Sequence, residues 1–291
     1  MRYGFWLPVF GGWLRNIDDE QMPATWDYVQ DLTLKAEALG YDLTLIAELN
    51  LNDIKGPEAN ALDAWSTAAA LAAITKRLEL MVAVRPTFHN PALFAKQAAN
   101  IDLISGGRLT LNVVSSWWRD EAVKYGIAFD EHDDRYARTS EWLDVLTSTW
   151  SQQHTTHHGR YYNIDDNLLS PKPYPTRTYS GYQSSGSQNH QPSAALKGTG
   201  FSPSVETSSK EGALAPEGMT HPTLNPKPYP LTPRHPTLYA GGESETAKNL
   251  IAAKCDAYLM HGDDPSTIAA KVADMKQRRA KHPDQIGRAH V

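Results

Sequence analysis

The sequence predicts an α/β fold of the TIM-type (β/α)8 barrel class, truncated after about six strand–helix units. Short apolar segments of strand length alternate with longer segments of helical period, which is typical of parallel α/β architecture. No GxGxxG motif follows the first strand, where the turn reads PVFGGWLRN. The same order of elements also fits an open doubly wound sheet, but the missing glycine motif favours the barrel.

The first four units come from the first half of the chain. Their strands are predicted at 3–7, 42–47, 78–84 and 109–114, and their helices at 25–39, 61–75, 91–105 and 136–150. Each helix carries apolar residues three or four positions apart, and Gly40 and Gly106 follow the first and third helices as stop signals. The third strand is almost uninterruptedly apolar, so we expect it to be buried on both faces.

The last two units follow a long interruption. Strands are predicted at 237–240 and 257–260, with helices that start near Glu243 and Pro265. Residues 177–224 show neither the helical nor the strand period of apolar residues. They are rich in polar residues, including nine serines from Ser180 to Ser209, which predicts a disordered insert.

Repeated phrases bracket this insert. SPKPYP occupies 170–175 and NPKPYP occupies 225–230, which suggests a retained non-coding segment or a mis-joined gene model, with a natural surface loop as the alternative. The final residues 286–291, IGRAHV, resemble one reading frame of a sequencing adapter, so we expect an artefactual tail. The predicted organisation is a single barrel domain over 1–285, interrupted by the insert and lacking its closing units.

Composition excludes several classes of protein. Hydrophobic residues make up 41% of the 291 positions and the formal net charge is -5, which indicates a soluble protein without an electrostatic case for nucleic acid. No run of 18 apolar residues occurs, so we expect no membrane span and a cytoplasmic location. The single cysteine, Cys255, excludes an intramolecular disulfide and is interpreted as core filler. HExxH, CxxC, GxSxG and Walker patterns are absent, so neither a metal site nor a serine nucleophile is predicted.

Polar residues follow the second and third strands at their carboxyl ends, where α/β folds bind ligands. Glu48 comes after strand two, and Arg85 and His89 come after strand three. His89 is predicted to be a proton donor or a substrate ligand, with an inert loop histidine as the alternative. Ile46 and Ala47 either pack beneath a flat ring or belong to the ordinary core.

The fourth and fifth strands are followed by a second set of candidates. Asn112 lies within strand four, and an aromatic, charged loop with Trp117, Trp118 and Glu121 comes after it. Arg135 is interpreted either as a partner for a ligand charge or as an ion-pair partner of its acidic neighbours. Strand five ends in YAGGESE, whose glycines and Ser244 stand at a helix start that favours an anion.

Several long blocks together resemble the bacterial-luciferase-like, reduced-flavin-dependent monooxygenases, most closely the dimethyl sulfone monooxygenase branch. The blocks are FWLPVFGGWLRN, YDLTLIAELNLNDIKG, LDAWSTAAALAA, LELMVAVRPTFHNPALFAKQAANIDLISGGRL, NVVSSWWRDE, HDDRYART and PTLYAGGESE. The resemblance covers residues 2–285 apart from the insert.

The resemblance implies a barrel that uses FMN, as FMNH2, and O2 to oxidise dimethyl sulfone to methanesulfinate and formaldehyde during sulfur assimilation. It also implies a separate NAD(P)H-dependent flavin reductase as partner and a homo-oligomeric state. The implied flavin contacts are Ile46, Ala47, Asn112, Glu121, Arg135, Tyr136 and Ser244. The catalytic candidates are His89, Arg85 and Trp117, the last as a wall that excludes water.

One departure bears on the substrate. Ala61 stands where the alkanesulfonate branch places a cysteine, two residues before the Asp63 of this chain's Asp63-Ala64-Trp65 motif, which disfavours an alkanesulfonate. The alternatives to a sulfone monooxygenase are a related enzyme acting on an alkanesulfonate or another small molecule, and an inactive flavin-binding fragment.

Overall fold

Parallel strands pair in the order of the chain in this computed structural model, which describes residues 2–174 and 235–282. The strands of the main sheet are β1 (Gly4–Trp6), β2 (Leu43–Ile46), β3 (Glu79–Val84), β4 (Leu109–Val113), β7 (Thr237–Gly241) and β8 (Ala257–Leu259). Their order is β1-β2-β3-β4-β7-β8, and every neighbouring pair is parallel. A doubly wound sheet reverses its strand order at a switch point, whereas this order only advances. The predicted α/β barrel-type class is therefore confirmed as a half-barrel whose edges, within the described residues, are β1 and β8.

Helices connect the strands and cover one face of the sheet. They are α1 (Trp26–Ala38), α2 (Ala64–Ile74), α3 (Pro91–Ser105), α4 (Arg119–Lys124), α5 (His132–Ser151), α6 (Glu245–Lys254) and α7 (Pro265–Arg279). Local sequence sets several boundaries: the Asn90 side chain accepts hydrogen bonds from the first turn of α3, and Gly106 ends that helix at φ 68°. The helix ends predicted from the sequence lie within a few residues of these bounds.

The register of the strands separates two faces of the sheet. Ile46 pairs with Val82 and Val82 pairs with Leu111, and all three side chains are fully buried in the core beneath the helices. Partners in a parallel ladder share a face, and successive residues alternate between faces. Asn112, which pairs with Ala83, therefore points to the opposite face, into the hollow of the half-barrel.

Two features were missed in the sequence. The short helix α4 lies within the aromatic loop, and an antiparallel hairpin of β5 (His154–His158) and β6 (Asn163–Leu168) follows α5. The hairpin strands are mostly exposed, so they lack the apolar alternation that signals a strand. The hairpin is instead held by Glu141 on α5, whose carboxylate accepts backbone hydrogen bonds from Arg160, Tyr161 and Tyr162 in the hairpin loop.

Other predictions fall at or beyond the limits of the described chain. The predicted insert at 177–224 and the predicted tail at 286–291 lie outside the described residues. Within those residues, no helix is long and apolar enough to cross a bilayer, and no group of histidine, cysteine and acidic side chains is arranged to hold a metal ion. Cys255 is fully buried, and burial raises the pKa of its thiol to about 12, as expected for a core residue.

Candidate functional site

Two buried glutamates meet one arginine above the carboxyl ends of β2 and β3. Glu48 follows β2 and is 8% exposed, Glu121 lies on α4 and is 0% exposed, and Arg85 follows β3 and is 2% exposed. The Arg85 guanidinium makes a bidentate pair with Glu121, and its Nε lies 3.6 Å from Glu48 Oε2. The guanidinium also lies 4.1 Å from the centre of the Phe88 ring. We name Glu48, Arg85, His89 and Glu121 the glutamate cluster.

The glutamate cluster joins three consecutive loops at this edge of the sheet. Glu121 accepts hydrogen bonds from the backbone N–H groups of Asn50 and Leu51 in the loop after β2. Glu48 accepts the backbone N–H of Arg85 at 2.7 Å, so the loop after β3 is fixed as well. Burying two carboxylates is costly unless each is paired and hydrogen-bonded, and here both are.

His89 completes the glutamate cluster at the wall of a cavity. Its Nε2 lies 2.5 Å from Glu48 Oε1, and the Trp65 indole N–H donates to the same oxygen at 2.8 Å. The neighbouring cavity has a volume of about 310 Å³. It is lined by Glu48, Asn50, Asp63, Trp65, Phe88, His89, Gln97, Tyr125 and Ile127.

A second group of polar residues lies at the ends of β4 and β7. The Asn112 side-chain oxygen is buried and has no hydrogen-bond partner in the described part of the chain. The Ser116 hydroxyl is also buried and without a hydrogen-bond partner among the described residues. Ser116 adopts φ 31°, in the left-handed region that non-glycine residues seldom occupy. Buried polar atoms are usually paired, so two unpaired ones within five residues mark a candidate position for a bound molecule.

The starts of α5 and α6 meet beside this group. Arg135 on α5 donates to the carbonyls of Asp130 and Ser115 and stacks on Phe129, so its described partners are not its acidic neighbours. A Cβ at Gly242 would lie 2.6 Å from Ala247 Cβ and 3.3 Å from the Tyr136 hydroxyl oxygen, so only glycine fits there. We name Asn112, Ser116, Arg135, Tyr136, Gly242 and Ser244 the β4–β7 edge.

Hydrogen bonds and charges shape the start of α6. The Ser244 hydroxyl accepts the N–H of Ala247 and caps the helix. Burial, with the Glu243 charge, raises the pKa of Tyr258 to about 12, and the Tyr258 hydroxyl donates to the Gly242 carbonyl at 3.1 Å. Hydrogen bonds from His132 and Thr246 lower the pKa of Asp133, which stays ionised where α5 meets α6.

The structure divides the predicted site residues into these two groups. His89, Arg85 and Glu121 are brought together in the glutamate cluster, and Asn112, Arg135, Tyr136 and Ser244 in the β4–β7 edge. Ile46 is fully buried on the face beneath the helices, and alternation places Ala47 on the other face, with Asn112. Trp117 stacks on Trp118 with ring centroids 5.7 Å apart and stays 53% exposed, as a surface platform.

Sequence reasoning missed Trp65, Ser116 and Tyr258. Trp65 is known from the sequence only as the last residue of the Asp63-Ala64-Trp65 motif, yet its indole N–H donates to the buried carboxylate of Glu48. The positive φ of Ser116 cannot be predicted from the residue type, because serine adopts the left-handed region only under local constraint. The contact between Tyr258 and Gly242 joins residues 16 positions apart and carries no local pattern.

A family model described as luciferase-like monooxygenase matches residues 1–291. An FMNH2-dependent dimethylsulfone monooxygenase from Pseudomonas fluorescens (strain Pf0-1) is 34% identical over 290 residues, which cover 99% of this chain and 63% of that protein. A protein of the same name from Pseudomonas putida is 26% identical over 290 residues, covering 99% of this chain and 64% of the relative. The chain thus spans slightly less than two thirds of the length of these relatives.

A solved structure of the riboflavin lyase RcaE, with modified FMN and substrate riboflavin, superposes with a TM-score of 0.68. It is 16% identical and covers 97% of this chain and 59% of that one. At this identity the superposition establishes the shared fold alone.

Proposed function

The chain belongs to the luciferase-like monooxygenase family, and from this we propose that it serves as a two-component monooxygenase that uses FMNH2 and O2 to oxidise dimethyl sulfone. The proposed products are methanesulfinate and formaldehyde, with FMN and water as the remaining products. The names of the two curated relatives support the reaction, and a separate NAD(P)H-dependent reductase would supply the reduced flavin.

The unpaired oxygen of Asn112 is the observation that carries the flavin part of this proposal. It is buried on the open face of the sheet, at the carboxyl end of β4, where the fold class binds its ligands. A flavin ring offers N–H donors that pair with an amide oxygen, and Ala47 on the same face leaves room for a flat ring. These residues therefore fit the cofactor.

The phosphate end of the cofactor fits the other residues of the β4–β7 edge. Because Gly242 lies so close to Ala247 that no side chain fits there, the backbone at the start of α6 is not covered by a side chain at position 242. A helix start favours a phosphate, and Ser244 adds a hydroxyl there. Arg135 supplies a positive charge whose described hydrogen bonds go to carbonyl oxygens, so no described carboxylate neutralises it.

Bound FMNH2 would supply the electrons that activate O2, while the protein supplies position and shelter. Asn112 would orient the ring, and Arg135 with Ser244 would anchor the phosphate. The glutamate cluster would keep the loops after β2, β3 and β4 in one arrangement, so that His89 stays at a fixed place beside the reacting molecules. Trp117 is the proposed wall against water, although it is half exposed in the described residues.

Product formation tests this proposal directly. The full 291-residue chain is mixed with a flavin reductase, NADH, FMN, O2 and dimethyl sulfone, and methanesulfinate and formaldehyde are quantified. NADH consumption is not a sufficient readout, because free FMNH2 reacts with O2 without the enzyme. We expect both products in equal amounts, and a yield no higher than in the reaction lacking the chain would refute the proposed activity.

A further inference from the structure

A cavity beside His89 lies apart from the residues of the β4–β7 edge. Its volume is about 310 Å³, and its lining contains none of the residues of the β4–β7 edge. Trp65, Phe88 and Ile127 give it apolar walls suited to methyl groups. Asn50 and Gln97 also line it, and the side-chain amide of neither makes a hydrogen bond to another described residue.

The charges at the cavity wall disfavour an anion. Two carboxylates line it, Glu48 and Asp63, and none of its lining residues is a lysine or an arginine. Arg85 lies close by, but its guanidinium is directed at Glu121 and Phe88 and is 2% exposed. An anion in this space would face two carboxylates, while the nearest described arginine, Arg85, lies 3.6 Å from Glu48 and is paired with Glu121; an uncharged molecule would not be repelled.

Glu48 determines which atom of His89 remains for a ligand. Nε2 is held by the Glu48 carboxylate, and the backbone carbonyl of His89 is fixed by the Trp142 indole at 2.9 Å. Nδ1 makes no hydrogen bond within the described residues and is the polar ring atom left over. With the amides of Asn50 and Gln97 it gives the apolar space a few polar contacts, the usual composition of a small-molecule site.

We propose that this cavity is the substrate site and selects a small uncharged polar molecule of the sulfone class over an anion of equal size, with His89 as a ligand contact and Glu48 as its positioning residue. The assignment of the substrate rests on the proposed function, but binding at the cavity can be measured without the reaction. Dimethyl sulfone and methanesulfonate are a suitable pair, because they differ mainly in charge.

The test is saturation-transfer NMR on the methyl signals of the two probes, with the full chain and without flavin. We expect dimethyl sulfone to bind at least tenfold more tightly than methanesulfonate, and His89→Gln to weaken its binding about tenfold through the loss of one polar contact. Glu48→Gln removes one repelling charge and should narrow the preference for the sulfone at least threefold. His157→Gln is the matched control, because His157 also pairs with a glutamate, Glu141 at 3.2 Å, but lies on the hairpin.

The outcomes separate this site from the proposed reaction. Equal affinity for the two probes, or equal sulfone affinity in His89→Gln and His157→Gln, would overturn the site. If His89→Gln fails to fold, Gln97→Met tests the same wall from the exposed face of α3 and should weaken sulfone binding several-fold. Selective sulfone binding without product would support the site and refute the reaction. Product formation together with unchanged sulfone affinity in His89→Gln would support the reaction and refute the site.

Discussion

The glutamate cluster and the β4–β7 edge contain similar numbers of polar residues but differ in how far the protein pairs them. In the cluster every carboxylate oxygen named above has a partner in the protein and the Arg85 charge is matched by Glu121, while Arg85 Nε, 3.6 Å from Glu48, makes no hydrogen bond among the described residues. At the edge, Asn112 and Ser116 keep buried atoms without partners among the described residues. The difference agrees with a cluster that holds the free protein in shape and with the proposal that a ligand completes the edge.

This difference has an energetic consequence. A buried ion pair adds little net stability over an apolar core, yet removing one partner costs about 3–5 kcal/mol because the other charge stays buried. An unpaired buried polar atom already costs the free protein about 1–3 kcal/mol, so its removal should be tolerated. Substitution of Arg85 should therefore act mainly on stability, and substitution of Asn112 mainly on ligand affinity.

The largest effect is expected for Arg85→Met. This change leaves Glu48 and Glu121 as two buried carboxylates without a cation, and the free energy of unfolding should fall by about 3–5 kcal/mol. Urea denaturation followed by circular dichroism measures it. Arg138→Met is the control: Arg138 pairs with Asp130 at 2.6 Å but is 25% exposed, so a loss of about 1 kcal/mol or less is expected. Equal losses in the two variants would contradict the role assigned to the cluster.

A smaller loss of stability is expected for Glu48→Gln, although the Glu48 side chain is almost as buried as that of Arg85. The remaining pair of Arg85 and Glu121 is balanced in charge, and the single oxygen of glutamine can still accept one of the two N–H groups, that of the Trp65 indole or that of the Arg85 backbone. We expect a loss of about 1–2 kcal/mol in the same measurement, smaller than that of Arg85→Met. A loss as large as that of Arg85→Met would mean that the charge of Glu48, rather than its hydrogen bonds, holds the loops.

How far the sequence predicts the molecule also differs between these regions. The strands and their order follow from apolar patterning, and Glu48, His89 and Asn112 could be placed at one edge because parallel strands end together. The partners of each residue could not be predicted. The pairing of Arg85 with Glu121 joins residues 36 apart, and the resemblance assigns Glu121 to the flavin, whereas its oxygens are taken by Arg85, Asn50 and Leu51. Its contact with the flavin stays a prediction.

Ile46 and Ala47 also show what the sequence alone does not predict. The resemblance places both beneath the flavin ring, but neighbouring residues of a strand point to opposite faces. The register settles which face is which, because Ile46 pairs with the core residue Val82. A sequence without its strand pairing does not contain that information.

At the β4–β7 edge, Asn112→Ala should change binding more than stability. The side-chain oxygen has no described partner to lose, so the free energy of unfolding should change by less than about 1 kcal/mol. Loss of one hydrogen bond to the flavin should raise the dissociation constant for FMN about tenfold, measured by flavin fluorescence titration. Asn249→Ala, on the exposed side of α6, should leave this constant unchanged. A large loss of stability with unchanged flavin affinity would place Asn112 among the structural residues instead.

The smallest effect is expected at Ser244, where stability and binding can be separated by the choice of substituent. Ser244→Ala removes the cap of α6 and should cost about 1 kcal/mol in stability. Ser244→Asp keeps a capping oxygen but adds a negative charge, so stability should be retained while FMN binding weakens by repulsion. Riboflavin lacks the phosphate and provides the control ligand: its affinity should be the same in Ser244→Asp and in the unchanged chain. If Ser244→Asp weakens FMN and riboflavin alike, the phosphate does not lie at α6, and Ser244 is a helix cap alone.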